Sequence, residues 1–193
     1  IKIRELLNTE SNIKEPEAPI KSERIRGDII FDNVSFSYGD TTALKNVSFQ
    51  AKRGQTIGII GPTGSGKSTL VNLICRFYDA TEGKVYIDNV PIKDLNIKQL
   101  RSSIGMAMQD IFLFSDTIEG NIAYGSPSVS LEKIKDIAKL SEAHNFISEM
   151  PEGYDTIVGE RGVGLSGGQR QRISLARALI TNPSILKLVF FAK

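Results

Sequence analysis

The apolar positions along this chain change period several times, and each change marks an element. From Asp28 the residues alternate, with Val34, Phe36 and Tyr38 on one face and Asn33, Ser35 and Ser37 on the other, the period of a half-buried strand. Gly39 and Asp40 turn the chain, and Ala43 to Ala51 returns as a partner strand. Gln55 to Ile60 reads as a short apolar strand and Thr69 to Phe77 as a helix, followed by strands over Lys84 to Ile87 and Gly105 to Met108. Ser130 to Met150 has helical spacing, with Leu131, Ile134, Ile137, Ala138 and Leu140 on one side and Ser130 placed to cap it. A second helix is predicted from Ser166 to about Ile180, where Asn182-Pro183 stops it, and Ser184 to Phe191 is the last strand. Ahead of all this, Ile1 to Leu7 is a short helix-like piece, and Asn8 to Arg26, polar with Pro16 and Pro19, has the composition of a linker. The order predicts an α/β protein.

Between the strand at Gln55–Ile60 and the following helix lies Gly61-Pro62-Thr63-Gly64-Ser65-Gly66-Lys67-Ser68-Thr69, which fits G-x-x-x-x-G-K-[ST] at every fixed position. The strand–loop–helix context is the one this phosphate-binding motif requires. Its glycines let successive backbone N–H groups turn inward around phosphate oxygens at a helix N-terminus. Lys67 adds a point charge and Ser68 a hydroxyl for Mg²⁺. A second glycine-rich stretch, Leu165-Ser166-Gly167-Gly168-Gln169, opens the later helix and offers another hydroxyl, close-approaching N–H groups and a helix dipole.

Composition narrows the class. Hydrophobic and charged fractions of 40% and 24% are those of a folded globular chain. A net charge of +2 is too small to argue for nucleic-acid binding from bulk electrostatics. No apolar run approaches the roughly 20 residues of a membrane-spanning helix. The single cysteine, Cys75, excludes a disulfide framework and suits a small buried position on the helix after the phosphate loop. The single histidine, His144, is expected to be a partly exposed helix residue.

Together the two glycine-rich motifs resemble the ATP-binding domain of ABC transporters, from about Asp28 to Leu186. The resemblance implies a P-loop NTPase core with an antiparallel β subdomain and an α-helical signature subdomain at about 110–170, within a nucleotide-binding domain spanning 27–193. Residues 1–26 would then be the connection from a transmembrane domain. It implies ATP and Mg²⁺ as ligands. Gly61, Thr63, Gly64, Ser65, Gly66, Lys67, Ser68 and Thr69 would hold phosphate, Tyr38 would stack on adenine, and Ser68 and Gln109 would serve the metal. Base stacking of this kind is worth about 1–3 kcal/mol. Gln109 would also position the attacking water. Leu165, Ser166, Gly167, Gly168 and Gln169 would meet the nucleotide held by a second, head-to-tail copy. Gly153-Tyr154-Asp155 and Gly159-Glu160-Arg161-Gly162, with Arg170-Gln171-Arg172, resemble the exporter branch, whose loops touch coupling helices of the transmembrane domain. The resemblance implies a domain at the cytoplasmic face of a membrane, with Gln169 to Arg172 and Arg177 mostly on a solvated and interdomain helix face.

The resemblance stops at the last strand. The family places an Asp and then a Glu where alignment from Pro183 gives Val189 and Phe190, so phosphate recognition is expected and hydrolysis is not. Lys187 would be an unpaired lysine in a strand buried on both faces. An initial Ile and an apolar final stretch read as a fragment of a longer protein. The window Lys187 to Ala192 has high β-propensity and neither Pro nor Gly, an aggregation hazard when exposed. Two other readings remain open: a DNA-repair or chromosome-organising ATPase, which would carry long coiled-coil arms between the motifs, and a non-catalytic truncated or chimeric chain.

Overall fold

The computed structural model describes residues 11–108, 111–159 and 162–188. The helix expected at Ile1 to Leu7, Gln109, and the stretch from Val189 onward lie outside these. The chain divides into two compact units, Ile1–Arg101 and Ser102–Lys193.

In the first unit, β1 (Ile29–Tyr38) and β2 (Thr41–Ala51) form the expected hairpin. β1 also pairs with β3 (Glu82–Ile87), which pairs with the short β4 (Val90–Pro91), giving the antiparallel order β2-β1-β3-β4. The alternation in β1 has its predicted effect: Phe31, Val34 and Phe36 are buried, and Phe31 stacks on Phe49 across the hairpin at 4.7 Å. Burying side chains of this size contributes about 1.5–3 kcal/mol each. Register shifts near Val34 accompany Asn33 in the left-handed region at φ 48°, a bulge that twists the ribbon. α1 (Lys67–Ile74) follows the phosphate loop and buries Thr69, Leu70, Leu73 and Ile74. Cys75, 2% exposed, ends it as the small buried residue expected. α2 (Ile97–Ser102) closes the unit.

The described part of the segment expected to be a linker is coil tied down by hydrogen bonds. The backbone of Ile20 exchanges bonds with Asp94 and Asn96 (2.8 and 3.1 Å). The Glu15 carboxylate accepts from Asn96 Nδ2 (2.6 Å) and from the backbone N–H of Ile97 (3.2 Å), at the start of α2, where a negative charge is favoured. The Lys14 carbonyl accepts from Arg76 Nη2 (3.0 Å).

In the second unit, β5 (Ile104–Ala107) pairs in parallel with β8 (Ile185–Leu188). Between them come β6 (Asp116–Thr117), α3 (Ile118–Ala123), α4 (Leu131–Leu140), α5 (His144–Ser148), β7 (Ile157–Val158) and α6 (Gly167–Leu179), with β6 antiparallel to β7. The core collects Ile118, Ile122, Ile134, Ile147 and Ile173, all fully buried. Ser130 caps α4 by accepting from Lys133 N, as its position predicted.

Three expectations are corrected. The single helix predicted over Ser130 to Met150 is two helices. The chain breaks at Ser141 to Ala143 with Glu142 at φ 57°, a cost carried by the burial of Ala138 before it and of Ala143 and Ile147 after it. Gln55 to Ile60 forms no strand. An extended segment becomes a strand only when a neighbour takes its N–H and C=O groups, and this one belongs to no sheet among the described residues. Finally, Lys187 is only half-buried, because β8 pairs with β5 alone and is not a central strand among the described residues.

Candidate nucleotide-binding site

The phosphate loop, Gly61 to Ser68, ends on α1. Gly64 and Gly66 lie at φ 83° and 85°, a region that side chains rarely adopt, and Gly66 is one of the two fixed glycines of the motif. Gly66 has a second constraint. A Cβ there would sit 2.5 Å from the Ala43 carbonyl and 2.7 Å from Leu44 Cδ2, so any side chain would push the loop off β2. The Lys67 ammonium turns back onto the loop and donates to the carbonyls of Gly61 and Pro62, each at 2.7 Å, with Ser65 Oγ at 3.5 Å. Thr63, Ser65 and Ser68 are exposed, with the Ser68 hydroxyl in the first turn of α1.

Tyr38, at the end of β1, is 43% exposed and tied to this helix: its hydroxyl lies 3.4 Å from that of buried Thr69. Edge-to-face contacts with Phe36 at 4.7 Å and Tyr78 at 5.2 Å hold its ring upright. The structure therefore brings Tyr38 and Thr69 to the helix that carries the loop. Tyr78 was not singled out in the sequence. Its position just past α1, where the aromatic run Phe77-Tyr78 follows a helix end, was the available signal.

In the second unit, Ser166 is the N-cap of α6 and forms a capping box. Its Oγ accepts from Gln169 N at 3.2 Å, and Gln169 Oε1 accepts from Ser166 N at 2.8 Å. The hydroxyl proton stays available to an acceptor. Gly167 and Gly168 are exposed beside it, and Leu165 packs against the core and sets where the helix begins.

The basic residues of α6 depart from a purely solvated face. Arg170 Nη1 donates to the Leu165 carbonyl (2.6 Å), and Arg172 Nη1 to that of Glu142 (3.2 Å). Arg177 is fixed more firmly still. Nε and Nη1 donate to the carbonyls of Asn121 and Phe112, both at 2.8 Å, and Nη2 to Asn121 Oδ1 at 2.6 Å. The guanidinium also lies over the rings of Phe114 (5.3 Å) and Tyr124 (5.8 Å). Burial lowers its pKa from the ordinary value, and Tyr124 opposes that shift. Asn121, fully buried, completes the staple by bonding both N–H and C=O of Phe114. Sequence reading passed over Asn121, although an amide flanked by Ile118 and Ile122 on one helix face points inward.

His144 is a half-buried helix residue, as expected, and its Nδ1 meets the Tyr154 hydroxyl at 2.9 Å. Burial raises the pKa of that phenol. Among the described residues, no cluster of His, Cys, Asp or Glu could hold a metal by itself, and Ser68 is the one described member of the expected metal pair. Gln109, Val189 and Phe190 lie outside the described residues.

A glycine-curled loop on a helix N-terminus, a lysine folded over it and a tyrosine at its side define a P-loop nucleotide-binding protein of α/β build. The comparisons with known proteins are specific. The ABC transporter family model matches residues 44–188, and the chain belongs to that family, whose ATP-binding domains are ATPases. It is 51% identical over 186 residues to an uncharacterized ABC transporter ATP-binding protein of Bacillus subtilis, YknU, covering 95% of this chain and 32% of the relative. It is 52% identical over 171 residues to YgaD of the same organism, described as a putative multidrug export ATP-binding/permease protein, covering 88% of this chain and 30% of the relative. A solved structure, a bacterial Atm1-family ABC exporter with ATP bound, aligns with a TM-score of 0.90 and 41% identity over 97% of this chain and 33% of the exporter chain. The chain thus spans about a third of the length of these relatives. No helix among the described residues is long and apolar enough to cross a membrane.

Proposed function

We propose that this chain is the nucleotide-binding domain of an ABC exporter and takes Mg-ATP through Gly61 to Thr69. The observation that carries the reading is the loop itself: left-handed Gly64 and Gly66, no room for a Cβ at Gly66, and Lys67 drawn over the curl. Tyr38 would receive the adenine, Ser68 and Gln109 would hold Mg²⁺, and Gln109 would also orient water. Bound Mg²⁺ neutralises charge on the phosphate oxygens. Leu165 to Gln169 would face the nucleotide of a second copy, so that ATP draws two domains together head to tail. A transmembrane domain, contacted through coupling helices, would convert closure into transport, with residues 1–26 as the connection and the domain at the cytoplasmic face. The names of YgaD and the Atm1-family structure support the exporter assignment. The DNA-repair reading loses its footing, since the described stretch between the two motifs holds only short helices such as α4 and α5 and no coiled-coil arm.

Titration with Mg-ATP tests the reading. Lys67→Ala removes the one side-chain cation of the loop, and we expect affinity to fall about tenfold or more, a loss of about 1.4 kcal/mol or greater. Equal affinity of the two proteins would show that nucleotide binds elsewhere.

A further inference from the structure

The Tyr38 hydroxyl is anchored beside that of Thr69 on α1, which fixes the far end of the side chain. The ring can still turn about its own long axis, a broad torsion in an aromatic residue. Two other rings oppose that rotation. Phe36 and Tyr78 each stand at 88° to Tyr38, and they lie 5.3 Å from one another at 47°. Phe36 shares β1 with Tyr38 and is buried. Tyr78 comes from a different part of the chain, the turn after α1, and is 40% exposed.

That turn is braced from two sides. Arg101, near the end of α2, donates to the carbonyls of Cys75 (3.3 Å) and Arg76 (2.8 Å) and lies over the Phe77 ring at 5.3 Å. Arg76 is buried and bridges the turn through Nε to Asp79 Oδ1 at 3.2 Å, while its Nη2 reaches the Lys14 carbonyl. The Tyr78 ring is therefore fixed in place although part of it faces solvent. Its hydroxyl makes no hydrogen bond among the described residues, so the ring alone meets Tyr38.

We infer that Tyr78 is a positioning residue for the base: it sets the plane of the Tyr38 ring and so how strongly this chain holds the adenine of ATP. The inference rests on the proposed role of Tyr38. A ring already held in the stacking orientation loses less freedom when the base arrives, and the saving appears as affinity. Phosphate recognition has separate supports, Lys67 on the loop carbonyls and Gly66 against β2, so base and phosphates should respond independently.

The test titrates the full chain with two probes, Mg-ATP and Mg-tripolyphosphate, the second lacking the base. Tyr78→Ala, and Tyr78→Leu, which keeps apolar bulk without the ring, should each weaken Mg-ATP by about two- to tenfold, the range that an aromatic pair is worth. Both should leave Mg-tripolyphosphate unchanged, and Tyr78→Phe should bind both probes as wild type does. Equal weakening of the two probes would show that the turn merely supports α1, and overturns the inference. Unchanged Mg-ATP affinity in both ringless variants overturns it as well. Tyr38→Ala separates the inference from the reading beneath it. If that variant loses Mg-ATP affinity and the Tyr78 variants do not, the adenine reading stands and the positioning role falls. If Tyr38→Ala keeps full affinity, the adenine reading fails and the positioning role fails with it.

Discussion

At the scale of single residues, Arg177 does more than its place on a charged helix suggests. Its fork holds the carbonyls of Phe112 and Asn121 and the buried Asn121 amide, so one side chain joins α6 to the segment leading into β6 and α3. Arg177→Ala removes these three hydrogen bonds, and we expect a loss of about 2–4 kcal/mol in urea unfolding. Arg177→Lys should recover less than half of it, because an ammonium cannot reproduce a planar fork. Tyr154 gives a pH dependence. Its pKa is raised by burial, so the folded state keeps the phenol proton at pH values where the unfolded chain releases it. The stability from burying the neutral ring is intact below about pH 10 and is lost as pH rises above that value towards the folded pKa. Thermal midpoints should therefore decline at alkaline pH, and Tyr154→Phe should reduce that decline.

At the scale of elements, local chemistry and the β1–β2 hairpin were legible, and pairing between distant segments was not. Ser166 followed three residues later by Gln169 announced a capped helix, and α6 begins there. The alternation through Val34 and Phe36 announced β1 and its buried face. The phosphate loop was readable for the same reason, its residue types being demanded by local backbone geometry. Gln55 to Ile60 looked equally strand-like, yet strand status depends on a neighbour that no window around Ile57 can supply. Lys187 was misread in the same way, since its burial depends on what lies beyond the far edge of β8. Asn121 and Arg177 meet only in the fold, 56 residues apart in sequence. The capping box also lets the cap role of Ser166 be tested apart from the proposed trans contact. Ser166→Asp keeps a good cap, so urea unfolding should be within about 0.5 kcal/mol of wild type. The added carboxylate would repel a γ-phosphate, and ATP-dependent dimerisation by light scattering should be lost. Retention of that dimer would remove α6 from the proposed trans contact.

At the scale of the whole molecule, binding and turnover are expected to part company. With Val189 and Phe190 at the positions that the family resemblance gives to two acids, this chain has no carboxylate there to support the metal or to orient water. Loss of such a group typically costs about 10²–10⁴-fold in rate. A phosphate-release assay on monodisperse chain should stay at background while Mg-ATP still binds. Sustained release that disappears in Lys67→Ala would mean that another carboxylate serves and that the alignment from Pro183 is wrong.

Lys67 already rests on the carbonyls of Gly61 and Pro62. Those two hydrogen bonds brace the curl of the loop from within the chain. On the proposed reading an arriving triphosphate would meet backbone N–H groups already held in place, and little chain entropy would be spent on arranging them. Association would then be set by encounter, and differences between nucleotides should appear in how long each one stays.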